Sequence, residues 1–101
     1  MAESEQASGI PVLAEATAGH DAGTYYLILR EDASYVYVAD GKHRKLNQPK
    51  RKNRKHVKRI LDPSGREITY DGILLTNRSI RKWLGRIRRG DAAGNGKEEL
   101  L

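Results

Sequence analysis

The sequence predicts a mainly β domain, a small barrel followed by one C-terminal amphipathic α-helix. Segments rich in branched and aromatic residues follow one another near the N-terminus, separated by short turns that contain Gly or Asp, which is typical of a small antiparallel barrel. Towards the C-terminus the apolar residues adopt the spacing of a helix. The chain has 101 residues, of which 38% are apolar, with no Phe and a single Trp. It can therefore form one small domain with tails.

Three strands are predicted before the chain becomes basic, at 10–17, 24–30 and 35–39. The second is the strongest because it is rich in aromatic and branched residues. The third alternates Tyr with Val, so Val36 and Val38 should point into the barrel and the tyrosines should lie on the other face. Residues 1–9 are polar and are predicted to be a disordered tail.

The barrel is predicted to span residues 10–62. Asp40-Gly41 favours a type I′ hairpin turn leading into a short strand at Lys42–Leu46. Pro49 should end that pairing and leave an exposed basic loop over 47–55, most clearly at Pro49–Lys55. A strand at His56–Leu61 follows, and Arg66–Tyr70 is either one more strand or an ordered connector.

A connector and a helix are predicted over 63–90, with the helix at about 77–89. Thr76 or Asn77 supplies the N-cap, and Gly90 ends the helix. Gly85 lies inside it at a cost of ~1 kcal/mol relative to Ala, so packing must hold the helix in place. The apolar stripe that should pack on the barrel consists of Ile80, Trp83, Leu84 and Ile87. Residues 91–101 are predicted to be a second disordered tail.

The charge is concentrated in one stretch, Lys42–Arg59, which we call the basic run. It holds ten Lys or Arg in eighteen residues and no acid. Residues 1–40 carry one Arg and seven acids (1 − 7 = −6), whereas residues 41–90 carry 17 bases and three acids (17 − 3 = +14). Such a field predicts a polyanionic partner. A membrane surface is a poorer fit because the run lacks large apolar residues for insertion.

Each cation that binds a phosphate displaces a counterion, so a dense basic run on a folded scaffold favours nucleic-acid binding. The helix adds cations that have no carboxylate partner one turn away. The densest phosphate contact is expected at Lys50–Lys55. Tyr35 and Tyr37 could stack on bases or simply pack across strands. The predicted RNA-binding residues are Lys42, Arg44, Lys45, Lys50, Arg51, Lys52, Arg54, Lys55, His56, Lys58, Arg59, Arg78, Arg81 and Lys82.

Catalysis is not predicted. The chain has no Cys and no two His three to five residues apart, so metal-ligand spacing is lacking and no cofactor is expected. His20 and Asp21 could form half of a catalytic pair, but no nucleophile is in register with them. No signal peptide or membrane span is recognised, which predicts a cytoplasmic protein. We expect the protein to be a monomer.

A family resemblance rests on two stretches. Val12–Leu29 (VLAEATAGHDAGTYYLIL) resembles a KOW motif, and Tyr35–Lys55 (YVYVADGKHRKLNQPKRKNRK) followed by His56 resembles bacterial KOW-domain RNA-binding proteins of the Gram-positive lineage. That family is similar to the large-subunit ribosomal KOW proteins of archaea and eukaryotes. The resemblance implies an SH3-like barrel over 10–62 that binds ribosomal RNA, with ribosomal proteins as further partners. It implies a ribosome-associated, assembly or translation factor.

The resemblance places the glycine of the motif on Gly23 and its turn on residues 19–22. The family carries Lys or Arg beside these glycines, where this chain has His20, Ala22 and Thr24. Binding is therefore expected to depend more on the basic run. An alternative function is a transcription-associated KOW interaction module that contacts polymerase or nascent RNA.

Overall fold

The computed structural model describes residues 11–90, which form one five-stranded antiparallel sheet and one α-helix. The predicted mainly β class with a single C-terminal helix is confirmed. The predictions for residues 1–9 and 91–101 lie outside the described residues. The elements are β1 (Val12–Ala16), β2 (Tyr25–Glu31), β3 (Tyr35–Ala39), β4 (Lys50–Asn53), β5 (Val57–Arg59) and α1 (Asn77–Arg88).

The strand order is β4-β3-β2-β1-β5, so four strands form a meander and β5 returns to pair with β1. The sheet is not closed, because β4 and β5 are its two edges. A single 3₁₀ turn at Arg54–His56 connects them. Within residues 11–90 no helix is long and apolar enough to cross a membrane.

The sheet buries side chains on both faces. On the face covered by α1, which we call the helix face, Leu13 and Leu27 pack with Ile68 and the helix. On the other face, which we call the valine face, Val36 and Val38 pack with four residues of β1 and β2. Successive residues of a strand point to opposite faces, so one strand can serve both clusters. The predicted inward orientation of the two valines is confirmed.

An irregularity in β2 changes which side chains reach each face. The register between β2 and β3 shifts between Ile28 and Arg30, so Arg30 lies opposite Tyr37 and Glu31 lies opposite Val36. Residues opposite each other on paired strands share a face. Glu31 is thereby brought to the valine face, one extra residue having reset the alternation.

The predicted strand at Lys42–Leu46 and the type I′ turn before it are wrong. Gly41 has a φ of 78°, but no residue other than glycine in the described part of the chain has a positive φ, and a type I′ turn needs two such residues. Asp40 Oδ1 instead accepts the backbone N–H groups of Lys42, His43 and Arg44 at 2.8–2.9 Å. A side chain that satisfies three successive donors replaces the hydrogen bonds of a strand.

The exposed loop predicted at Pro49–Lys55 is also wrong. Lys50–Asn53 is strand β4, paired along its length with β3. Pro49 lies just before it, a position where Pro costs no ladder hydrogen bond. Strand β5 is shorter than predicted, and Arg66–Tyr70 is a connector held by two isolated bridges, Leu61 to Glu67 and Val12 to Thr69.

The helix agrees with its prediction. Thr76 caps it through a reciprocal pair of hydrogen bonds with Ser79, and Gly90 follows its end with a φ of 88°. Ile80, Trp83 and Leu84 are buried in the helix-face cluster and Ile87 packs against it.

Candidate nucleic-acid interface

The basic run divides into two parts in the structure. The first part is the turn after β3, and we call Lys42, Arg44 and Lys45 the turn cluster. All three are exposed, and within residues 11–90 none forms an ion pair with a carboxylate. Their backbone is nevertheless fixed, because Asp40 accepts the N–H groups of Lys42 and Arg44.

The second part begins on β4, where Lys50 and Lys52 lie opposite Val38 and Val36 and therefore on the valine face. Lys52 retains 9% of its exposure. Its Nζ lies 3.1 Å and 3.3 Å from the two carboxylate oxygens of Asp21, and Lys50 Nζ lies 3.3 Å from Oδ2. A buried ammonium needs such a partner because desolvation without one is costly.

Asp21 is the centre of this cluster and receives a third donor, the Tyr26 hydroxyl at 2.8 Å. Burial alone would raise the pKa of Asp21, but the hydrogen bonds from Tyr26, Lys52 and Lys50 outweigh it and hold that pKa well below its usual value. Burial, together with the hydrogen bond to the carboxylate, raises the pKa of Tyr26. The Gly19–Gly23 loop is thus fastened to β4.

A second carboxylate, Glu31, binds two arginines of the basic run. Arg54 Nη1 lies 2.8 Å from its Oε1, and Arg59 Nη2 lies 2.7 Å from both of its oxygens. Arg59 Nε is buried and forms an ion pair with Glu67 Oε2 at 2.9 Å, but it donates no hydrogen bond. Lys58 lies 3.7 Å from Glu15 across the β1–β5 pair.

These contacts separate the predicted RNA-binding residues into two groups. Lys50, Lys52, Arg54, Lys58 and Arg59 each form an ion pair with an acid of the described residues. In Lys50–Lys55, the stretch predicted to make the densest phosphate contact, only two cations form no ion pair with an acid of residues 11–90. These are Arg51 and Lys55. His56 is exposed at the end of the 3₁₀ turn. Lys52 is buried and is a poor candidate for phosphate contact.

The tyrosines of β3 lie on one face, as predicted, and each has an arginine over its ring. The guanidinium of Arg51 is 4.5 Å from the ring centroid of Tyr35, and that of Arg30 is 3.9 Å from the centroid of Tyr37. Cation–π stacking covers one side of each ring. Arg30 was absent from the predicted site because it lies outside the basic run.

The turn cluster is docked against the start of α1. Arg81 Nη1 donates to the Gly41 carbonyl at 2.8 Å, and the Leu46 N–H donates to Asn77 Oδ1 at 2.8 Å. Gly41 approaches the Asn77 carbonyl so closely that a Cβ would collide with it. The structure therefore joins the turn cluster to Arg78, Arg81 and Lys82 of the helix in one cationic surface, which we call the turn–helix surface.

A groove of about 560 Å³ runs along the exposed side of α1, between the helix and residues 70–72. Its lining includes Gly85, Arg86 and Arg89, which were absent from the predicted site. The available signal was Gly85, a poor helix former placed among cations, but we interpreted it only as a cost that packing of the helix must offset. The groove-lining residues are Tyr70, Asp71, Gly72, Ser79, Arg81, Lys82, Trp83, Gly85, Arg86 and Arg89.

The part of the chain that the structure describes holds no group of three His, Asp or Glu side chains able to bind a metal ion. No protein-family model matches the chain, and a search of curated proteins found no significant match. The resemblance to KOW proteins therefore stays a prediction, and the function is argued from the geometry of the site.

Proposed function

We propose that this protein is a non-catalytic RNA-binding protein that binds ribosomal RNA of the large subunit in the cytoplasm, as a ribosome-associated, assembly or translation factor. The observation that carries the proposal is the turn–helix surface. Its cations are exposed, and none of them forms an ion pair with an acid of residues 11–90. Hydrogen bonds hold the backbone of the turn and join the turn to the helix.

A fixed cationic surface suits a folded RNA better than a mobile arm does. The backbone of Lys42 and Arg44 is held by Asp40, so less conformational entropy is lost when phosphates bind. Arg81 donates to the Gly41 carbonyl through Nη1, which aligns the two elements that carry the charge. Phosphate contacts set affinity and orientation, so binding should depend strongly on salt and weakly on sequence.

The first prediction compares two variants that each remove two exposed cations. Lys42→Ala/Lys45→Ala acts on the turn cluster. Lys58→Ala/Arg66→Ala is the control, because Lys58 faces Glu15 and Arg66 belongs to the turn held by Asp62, so neither is part of the turn–helix surface. Fluorescence anisotropy with a labelled ribosomal RNA fragment across a salt series should show the slope of log K against log salt reduced by about 1.4–1.8 in the first variant and little changed in the control.

Two results would contradict the proposal. Equal slopes and equal losses in both variants would mean that net charge alone attracts RNA. Failure of the parent protein to bind RNA at ~50 mM salt, where phosphate contacts are strong, would exclude RNA binding. Co-sedimentation with large ribosomal subunits over the same salt series tests the ribosomal part separately.

The alternative function, contact with a transcribing polymerase, is favoured by a different feature. Ile73, Leu74 and Leu75 precede α1 and are exposed, Ile73 by 99%. Phosphate contacts do not explain three consecutive exposed apolar residues, whereas a protein–protein contact does. Retention of purified polymerase by the parent protein, lost in Ile73→Ser/Leu74→Ser while RNA affinity is kept, would support this alternative. No retention by the parent would exclude it.

A further inference from the structure

The groove beside α1 shares Arg81 and Lys82 with the turn–helix surface but adds two features. It is concave, and besides the cations on the helix side it carries one carboxylate, Asp71, on the opposite side. Its volume of about 560 Å³ is in the range of small-molecule sites. A ligand that fits it must offer an anionic group and a hydrogen-bond donor.

Gly85 lies on the helix side of this groove, and the fold does not require a glycine there. A Cβ at this position would meet only Arg89 Nη1, at 3.5 Å, which is an ordinary contact. At Gly41, by contrast, a Cβ would collide with the Asn77 carbonyl. Glycine is unfavourable inside a helix, so its presence at 85 weakens α1 with no gain in packing. What it provides is close access to the helix backbone.

The cations around Gly85 are exposed and available. Lys82, Arg86 and Arg89 follow one side of the helix, and within residues 11–90 none of them forms an ion pair. Lys and Arg side chains in this arrangement are suited to a phosphate group. Because Gly85 has no side chain, a phosphate group can come closer to the helix backbone there than it could if any other residue occupied position 85.

Asp71 is held in place on the other side. Its Oδ1 accepts the Trp83 indole N–H at 2.9 Å, and Trp83 is itself fixed in the core, edge to face with Tyr70 at 5.7 Å between ring centroids. Asp71 is exposed, so its second oxygen can accept a donor from a ligand. A carboxylate among phosphate-binding cations would repel a simple anion, but it suits a molecule that also carries hydroxyl or amino donors.

From these observations we propose that the groove holds one nucleotide of the bound RNA. Its phosphate lies over Gly85 against Lys82 and Arg86, and a donor of its ribose or base binds Asp71. The inference rests on the proposed function, since it names a nucleotide subsite for the same RNA. The ribose 2′-hydroxyl and the amino groups of the bases are both hydrogen-bond donors, and the Asp71 carboxylate can accept from either.

Substitution of Gly85 tests the close approach. Gly85→Ala should raise the melting temperature, because Ala favours the helix, and yet weaken binding of a labelled single-stranded RNA 12-mer. Gly85→Leu should weaken it further, to about a tenth of the parent affinity or less. A rise in stability with a fall in affinity separates a site from general damage to the fold. Parental affinity in both variants would overturn the proposal.

Two exposed arginines of α1 allow a matched test of whether a positive charge in the groove contributes to RNA binding. Arg86 lines the groove and Arg88 does not. Arg86→Gln should lose about tenfold in affinity, as expected when a charged hydrogen bond is removed, while Arg88→Gln should stay close to the parent. Equal losses would overturn the groove as a site. If the parent binds RNA and the turn-cluster variant weakens it while Gly85→Leu and Arg86→Gln do not, the groove proposal fails and the proposed function stands.

Asp71→Asn identifies the donor, since Asn can still accept the Trp83 indole N–H. The variant should weaken binding of the RNA 12-mer. Measuring its affinity for a DNA 12-mer of the same sequence then identifies which group of the nucleotide donates to Asp71. A loss confined to RNA assigns the donor to the ribose 2′-hydroxyl, and an equal loss with both assigns it to the base. No loss with either would overturn the role of Asp71.

Discussion

The two parts of the basic run have similar composition but different environments. The turn cluster lies on a turn, exposed, and is joined to α1. The second part lies on β4, the 3₁₀ turn and β5, where Asp21, Glu31 and Glu15 bind five of its cations. The density of Lys and Arg along a chain is therefore a poor measure of the charge that the folded protein offers to a partner.

The acids responsible come from β1, β2 and the loop between them. The −6 of residues 1–40 and the +14 of residues 41–90 look separated in the sequence, yet antiparallel pairing places Glu15 beside Lys58 and Glu31 beside Arg54. Part of the positive charge is thereby used within the domain. Exposed pairs of this kind contribute little stability, but the partly buried ones become costly when one partner is removed.

The largest expected effect comes from breaking the Asp21 cluster. Asp21→Asn leaves the buried Lys52 ammonium without its counter-charge, and we expect the free energy of unfolding to fall by about 2–4 kcal/mol, somewhat below the cost for a fully buried pair because the Asp21 side chain keeps 16% of its exposure. Urea denaturation followed by Trp83 fluorescence measures this. The RNA affinity of the folded protein should hardly change.

Asp62→Asn is the control for that variant, because Asp62 binds Ser64 and backbone N–H groups and no buried cation. It should unfold like the parent. If both variants unfolded alike, or if Asp21→Asn lost RNA affinity in proportion to the turn-cluster variant, the division of the basic run would be wrong.

The same contribution should depend on pH. The pKa of Asp21 is lower in the folded protein than its usual value of 3.8, so below that value the unfolded chain binds more protons. The stabilisation is therefore complete above about pH 4 and is lost as pH falls towards the folded pKa. Thermal unfolding of the parent and Asp21→Asn between pH 2 and pH 7 should show their difference constant above pH 5 and narrowing in acid. A difference that widened in acid would contradict this assignment.

A smaller effect tests the turn cluster. Asp40→Ala removes the acceptor of three backbone N–H groups, which should cost about 1–2 kcal/mol of stability. Removing an acid from a cationic surface would by itself strengthen RNA binding. We expect weaker binding, because the turn loses its fixed shape. Asp40→Asn keeps the Oδ1 acceptor and should bind RNA at least as well as the parent. Tighter binding by Asp40→Ala would show that charge matters and shape does not.

The elements that local pattern describes were predictable. The Tyr–Val alternation of β3 and the apolar stripe of α1 each identify one face of one element, and both are confirmed. Strand β4 could not be found in this way, because Lys50–Asn53 has low β propensity and its pairing depends on the open edge of β3 and on Asp21 far away in sequence.

The site was predictable in composition and not in arrangement. Lys42, Arg44 and Lys45 are identified by charge alone, and the structure adds that they lie beside α1. That Lys52 is buried follows from its place opposite Val36, which no local pattern shows. Gly85 carried a signal that became interpretable only when the space around it was known.

The register shift in β2 has a consequence for comparing this chain with others. Because the bulge takes up one residue between Ile28 and Arg30, Glu31 lies opposite Val36 and can reach Arg54 and Arg59. In a chain of the same length that paired regularly here, the acid aligned with Glu31 would point to the other face, and both arginines would lose this partner. A chain one residue shorter that paired regularly would keep the acid on the face where Glu31 lies. Strand length and the presence of the bulge can thus together alter the polyanion affinity of a surface without changing a single cation.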